Sequence, residues 1–262
     1  MRDPWSVLTP HQQTVAKAFL VDREAERKHL VVYLSGAHAY GFPSPDSDLD
    51  LKCVHIAPTA SLVGLDVVDD PGDRIVVVDG VELDYGSNEL APVLRGAIKG
   101  NGNYLERILG ELALGGDGAL LEEARAVVRP LLSRRCARHY AGFATSQLKL
   151  FDEKPTAKRA LYVLRTAATG IHLLARGELV IDLEQLRDHL PNEVDELLSI
   201  KRTGERTELE TTHAAEWRGR LAEVVESIDR GWRTAVIPTD PPAPNIAAAD
   251  QWLRRVRKDH WE

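Results

Sequence analysis

The run SDLDLKCVHI, residues 47–56, sets aspartates at alternate positions inside an apolar stretch. No other pattern in the chain constrains the fold as tightly. A period of two is the signature of a β-strand, on which residues i and i+2 project from one face. Asp48 and Asp50 therefore share one side, while Leu49 and Leu51 point into a core on the other. Two like charges so placed repel, and desolvating them is costly unless something positive sits between them. A hard divalent cation, which prefers carboxylate oxygen, meets that need. Read by itself, SDLDL also suits a solvated turn leading into a strand, so the neighbouring segments must decide.

Upstream, HLVVYLSG (29–36) is a short apolar run stopped by Gly36, the pattern of a buried strand. A strand ending in glycine and followed by a small residue, here Ala37, lets backbone N–H groups approach phosphate oxygens closely. His38 and Lys52 add positive charge. Downstream, DRIVVVDGVELDYGS (73–87) holds two strand-like runs around Asp79-Gly80, a hairpin-turn dipeptide. Asp84 on the outgoing strand is the expected third carboxylate, with Glu82, of the same parity, as the fallback. Three such carboxylates make a two-metal site for phosphoryl transfer, in which one cation activates the attacking oxygen and the other carries the triphosphate.

The rest of the chain is read from period and punctuation. LTPHQQTVAKAFLVDREAERK predicts a helix with Thr9 as N-cap, Pro10 at its first position, and Val15, Ala18, Phe19 and Val21 as its apolar side. From Asn88 the period becomes helical, with Pro92 in an opening turn. The glycines of LGGDGALL (114–121) suggest an interdomain connection. Beyond it, helices are expected over about 120–128, 130–151, 156–176, 183–189, 192–201, 208–236 and 246–258. The expected fold class is α+β: a domain over 1–115 with a mixed sheet and flanking helices, then a helical domain over 116–262.

Composition excludes more than it selects. The net charge of -7 does not advertise nucleic-acid binding, and RRVRK (254–258) reads as a solvated helix face or a local basic patch. Two cysteines, Cys53 and Cys136, without metal-type spacing fit a reducing cytoplasm rather than a disulfide framework or structural zinc. No apolar run approaches the roughly 20 residues needed to span a membrane, and the first residues lack a signal-peptide core. A cytoplasmic protein with no membrane partner is the expectation.

With these elements in order, the chain resembles the DNA polymerase β-type nucleotidyltransferase superfamily. It is most similar to the bacterial and phage nucleotidyltransferases associated with RNA ligases. Their run GSxAYGTATPxSDxDLKG is paralleled by GAHAYGFPSPDSDLDLKC, their LRKFLRLALKGNPNVLELL by LAPVLRGAIKGNGNYLERIL, and their LLxIKxGE by LLSIKRTGE. The resemblance covers about residues 30–205. It implies a polymerase β palm-like domain with a helical companion and a nucleoside triphosphate substrate, ATP favoured. It also implies magnesium or manganese at Asp48, Asp50 and Asp84, which act as catalytic residues and metal ligands. Ser35, Gly36, Ala37, His38, Ser47 and Lys52 are the implied nucleotide-binding group. Lys99 and Asn101 join it, with a helix C-cap at a left-handed Gly100 as their alternative role. Lys158, Tyr162 and Arg165, spaced i, i+4, i+7 on one helix face, hold triphosphate or acceptor, or else form a polar interdomain seam.

Three departures stand out. Ala37 replaces a serine whose hydroxyl helps hold triphosphate, Tyr162 replaces a histidine, and Gly102 replaces a proline. The expected activity is transfer of a nucleoside monophosphate to an acceptor, with pyrophosphate released. An RNA end or tRNA is favoured as acceptor, and a protein or small molecule is the alternative. The competing readings are a nucleotide- or RNA-binding module with feeble catalysis, and a toxin–antitoxin-type enzyme. His139, His172 and His213 are read as structural, and Trp217, Trp232, Trp252 and Trp261 as anchors in the core or in a homodimer contact.

Overall fold

Thr9 and Gln12 open the first helix by capping each other. Thr9 Oγ1 accepts from the Gln12 N–H at 3.2 Å, and Gln12 Oε1 accepts from the Thr9 N–H at 3.0 Å. Helix α1 (Pro10–Glu26) buries Val15, Ala16 and Leu20, with Phe19 partly covered. Ala18 and Val21 face solvent, contrary to the sequence reading, because the stripe that meets the sheet is 15, 16, 19, 20, 23. The computed structural model describes residues 3–63, 72–202 and 208–262.

The predicted strands form where the apolar runs place them: β1 (Lys28–Leu34), β2 (Leu49–Ile56), β3 (Arg74–Val78) and β4 (Val81–Glu89). A single helical turn, α2 (Gly36–Ala39), follows β1. Asp79 and Gly80 join β3 to β4 with φ of 47° and 79°, the double left-handed conformation of a type I′ hairpin turn. Helices α3 (Leu90–Ile98) and α4 (Gly102–Leu109) come next, with Pro92 in the opening turn of α3. LGGDGALL is no linker. It contributes to a fifth strand, β5 (Ala113–Gly115), which pairs with β1, and to the start of α5 (Gly118–Val128). Gly116 turns the chain at φ +109, where an added Cβ would lie 2.5 Å from the Leu30 carbonyl oxygen. Gly116 thus serves the close packing of the chain against β1.

Further on lie α6 (Arg135–Glu153), α7 (Ala157–Arg176), α8 (Val194–Arg202), α9 (Thr211–Thr234) and α10 (Ala243–Asp259). The helix expected over 183–189 is instead a turn followed by a short 3-10 segment, Arg187–His189. Asp182 there accepts from the Glu184 N–H at 2.8 Å, the local side-chain bond with which aspartate diverts a chain from helix.

The chain divides into two compact units, each discontinuous in sequence. The first comprises residues 1–36, 48–131 and 241–262, and the second 37–47 and 132–240. In the first unit the described strands form one mixed sheet ordered β3-β4-β2-β1-β5, antiparallel except for the parallel pair β2–β4. One face carries Val32, Leu34, Leu49, Leu51, Cys53, Leu83 and Tyr85, packed against α1. Helix α10 joins this unit through Trp252, whose indole donates to Glu123 at 2.9 Å, and through Arg257, which pairs with the buried Glu89. Arg254 and Arg255 pair with Asp250 and Glu123. The arginines of RRVRK are thus engaged in ion pairs within this unit.

In the second unit α7 packs against α6, α8 and α9, and it is buried along most of its length. A Cβ at Gly170 would sit 2.7 Å from that of Tyr140, so only glycine permits this approach of α6 to α7. Trp217 of α9 is fully buried, whereas Trp232 and Trp261 are exposed. Among the described residues, no helix is long and apolar enough to cross a membrane.

Candidate active site

The carboxylates gather on the face of the sheet opposite α1. Along β2 burial alternates: Leu49, Leu51 and Cys53 are buried, while Asp50 and Lys52 are partly open. Asp48 immediately precedes the strand with the same parity and the same intermediate exposure. Along β4, Leu83 and Tyr85 are buried, Glu82 is exposed and Asp84 intermediate. The parallel register pairs Asp50 directly with Asp84, and Leu49 with Leu83. Directly paired residues share a face, so Asp50 and Asp84 stand on neighbouring strands about 4.8 Å apart. Two acids distant in sequence are thereby brought side by side.

Gly36 shapes the other flank of Asp50. Its φ is +68°, and a Cβ there would lie 1.8 Å from Asp50 Oδ2 and 2.8 Å from Cγ. The Ser35 N–H donates to the Asp50 carbonyl at 2.8 Å, which ties the end of β1 to β2 beside the acid. The glycine is therefore required by the carboxylate, independently of any phosphate. Lys52 Nζ lies 2.6 Å from Asp84 Oδ1, in an ion pair with both side chains about a quarter to a third exposed. Lys52 was expected to touch nucleotide, and here it shares the charge of the third acid.

Asp50 and Asp84, paired on one face, with Asp48 two residues before Asp50, offer the hard oxygen donors that suit magnesium or manganese. The Asp50 carboxylate occupies the space that a Cβ at Gly36 would take. Among the described residues, no three acidic, histidine or cysteine side chains already stand together as a metal-ligand cluster. Fit therefore rests on the register and the donor chemistry. Burial pushes the Cys53 thiol up to about 12, which leaves it inert on the core face.

Lys99 is exposed at the end of α3, and Gly100 takes the left-handed conformation at φ +80°. Asn101 caps α4, its Oδ1 accepting from the Asn103 N–H at 3.0 Å. The helix-capping role is the one their geometry displays.

In the second unit, residues 37–47 fold onto α7. Ala37 and His38 are buried. The Arg165 guanidinium, 3% exposed, lies 3.7 Å from the centre of the Tyr40 ring, and Tyr162 meets Tyr40 and Phe42 edge to face at 5.8 and 5.7 Å. Tyr162 and Arg165 thus build an aromatic–cation clasp around this segment. Lys158 and Tyr162 also line a cavity of about 440 Å³ together with Lys154, Arg159, Thr156 and Gln147. Ser47 closes a turn with Ser44: the Ser44 N–H donates to Ser47 Oγ at 3.0 Å, and the Ser47 N–H to the Ser44 carbonyl at 3.0 Å.

One residue at this turn was missed from the sequence. Lys201 is 1% exposed, and its ammonium donates to Ser44 Oγ and, at 3.5 Å, to Ser47 Oγ. The signal was present: Val194, Leu197, Leu198 and Lys201 form the buried stripe of α8, so a lysine occupies a core position of an amphipathic helix. Burying an ammonium costs several kcal/mol before its partners are counted, so its placement under the turn that leads into Asp48 is specific.

His172 and His189 contact each other at 3.2 Å, and His213 Nε2 accepts from the Trp217 indole at 2.9 Å. Both contacts fit the structural reading of these histidines.

Among known proteins, the chain is 27% identical over 160 residues to an uncharacterised protein, MJ0002, of Methanocaldococcus jannaschii, covering 60% of this chain and 65% of that relative's length. A solved structure of a nucleotidyltransferase-like protein from Exiguobacterium sibiricum aligns over 95% of this chain and 80% of its own, with 9% identity and a TM-score of 0.33. The family described as RlaP, the RNA repair pathway DNA polymerase beta family, matches residues 13–255. With nearly the whole length matched, the chain belongs to the RNA repair pathway DNA polymerase beta family.

Proposed function

We propose that the protein is a metal-dependent nucleotidyltransferase that moves a nucleoside monophosphate from a nucleoside triphosphate, ATP favoured, to an RNA end or tRNA. The observation that carries this reading is the in-register pairing of Asp50 with Asp84, with Asp48 two residues before Asp50. Family membership supports the reaction class, and the family's description supports RNA as the acceptor. Magnesium or manganese, held by Asp48, Asp50 and Asp84, would neutralise triphosphate charge and activate the acceptor hydroxyl. The new bond runs from the acceptor oxygen to the α-phosphorus. The bond from that phosphorus to the α–β bridging oxygen breaks, pyrophosphate leaves with the bonding pair, and a carboxylate at Asp84 receives the hydroxyl proton. Gly36 keeps Asp50 aligned, and Lys52 offsets the negative charge of the acidic row.

A second reading, a nucleotide- or RNA-binding module with feeble catalysis, is favoured by Ala37 and Tyr162. Ala37 is buried without a hydroxyl, and Tyr162 stands in an aromatic cluster. Incubation with each α-labelled triphosphate and Mg²⁺ or Mn²⁺, with and without cellular RNA, separates the two. Label transferred to RNA and lost in Asp50→Asn supports transfer. Triphosphate binding with no transfer to any acceptor supports the module.

A further inference from the structure

The sheet face that carries the carboxylates continues outward onto β3, and there its chemistry changes. Ile75 pairs with Asp84 and Val77 with Glu82 across the antiparallel β3–β4 ladder. Directly opposed residues share a face with Cβ atoms about 4.5–5.5 Å apart, so both β-branched side chains stand beside the acids. Ile75 is 70% and Val77 68% exposed. The opposite flank of the acidic row differs. There Gly36 abuts Asp50, and Tyr33, the β1 partner of Lys52, is buried.

Two exposed β-branched residues on an outer strand satisfy strand propensity and need no further explanation alone. Their placement is what matters. Natural edge strands carry charge or proline where nothing covers them, yet the pair that flanks the acids here is isoleucine and valine.

We infer that Ile75 and Val77 form the platform for the terminal nucleoside of an RNA acceptor. This rests on the nucleotidyltransferase reading above. The acceptor hydroxyl must reach the carboxylate row at Asp84, and the sugar and base attached to it extend several ångströms beyond. On the β1 flank the neighbours are Gly36, packed against Asp50, and the buried Tyr33, which offer no exposed apolar side chain. On the β3 flank the adjoining surface is apolar, which suits the face of a base and does not compete with its polar edges. The surface would select for the presence of a base more than for its identity, since it offers no hydrogen-bond donor or acceptor from these side chains.

The test compares the wild type with Ile75→Thr/Val77→Thr, which keeps β-branching and replaces apolar methyl surface with hydroxyl. Binding of a fluorescent oligoribonucleotide is read by anisotropy, ATP binding by calorimetry, and transfer by steady-state kinetics. The expected result is a roughly three- to tenfold weaker RNA affinity and higher acceptor KM. ATP affinity and kcat at saturating RNA should be unchanged. Equal RNA affinity in the two proteins overturns the inference while leaving the nucleotidyltransferase reading intact. Label arriving on protein in place of RNA also overturns it. A wild type that neither binds ATP nor transfers label sinks the nucleotidyltransferase reading, and this inference with it.

Discussion

The Gly36 position offers a way to weigh the site against the fold. Alanine at φ +68° must hold a left-handed conformation, which costs an L-residue about 1–2 kcal/mol. Its methyl would also lie 1.8 Å from Asp50 Oδ2, 2.8 Å from Cγ and 3.1 Å from Cβ. Because all three atoms crowd the methyl, rotating the carboxylate cannot relieve the contact, and the whole side chain or the end of β1 must shift. Overpacking of this kind adds about 1–3 kcal/mol. Gly80 is the control, because it has a similar φ of +79° and nothing within 4 Å of an added methyl. Gly80→Ala therefore reports the backbone cost alone, and the excess in Gly36→Ala measures the Asp50 contact.

Urea unfolding should place Gly36→Ala below Gly80→Ala by about 1–3 kcal/mol. A displacement near 1 Å at a reacting centre costs on the order of a hundredfold in rate. Label transfer and Mn²⁺ affinity should accordingly fall in Gly36→Ala and hold in Gly80→Ala. Equal destabilisation of the two variants, with Mn²⁺ affinity retained in both, would refute the reasoning.

Asp84→Ala should abolish label transfer while Glu82→Ala lowers it only slightly, since Asp84 is the acid in register with Asp50; the reverse ranking in a transfer assay would move the third ligand by two residues. Ser44→Ala removes an acceptor of the buried Lys201 ammonium, and equilibrium unfolding should show a loss of about 1–3 kcal/mol. Burial holds the His29 imidazole down at about 4, so the native state stays neutral while the unfolded chain binds a proton below pH 6.5. Stability should therefore fall as pH drops from about 6.5 towards 4, by roughly 2–3 kcal/mol from this group. Denaturation of His29→Gln across that range should show a correspondingly shallower slope.

What could be read from the chain is what local physics dictates. The period-two alternation at Asp48 and Asp50, the Asp79-Gly80 turn and the Thr9 cap each depend on residues a few positions apart. Side-chain direction and backbone φ are set at that range, and all three are observed. The buried side of α1 was misread at Ala18 and Val21 because the sheet it meets chooses among overlapping helical stripes. LGGDGALL was misread because glycine signals freedom of the backbone without saying whether that freedom serves a linker or the close approach of a strand to Leu30. Lys201 lay on the apolar stripe of its own helix, but nothing near it in sequence names Ser44 and Ser47, more than 150 residues away, as its partners. Even the acidic site was only half legible. Sequence parity places each acid on a face of its own strand, whereas only the parallel β2–β4 register, a contact across more than 30 residues, decides that Asp50 and Asp84 stand side by side. That register is fixed by burying Leu49 against Leu83 and Leu51 against Tyr85 on the opposite face, since a slip of one residue would turn the acids into the core.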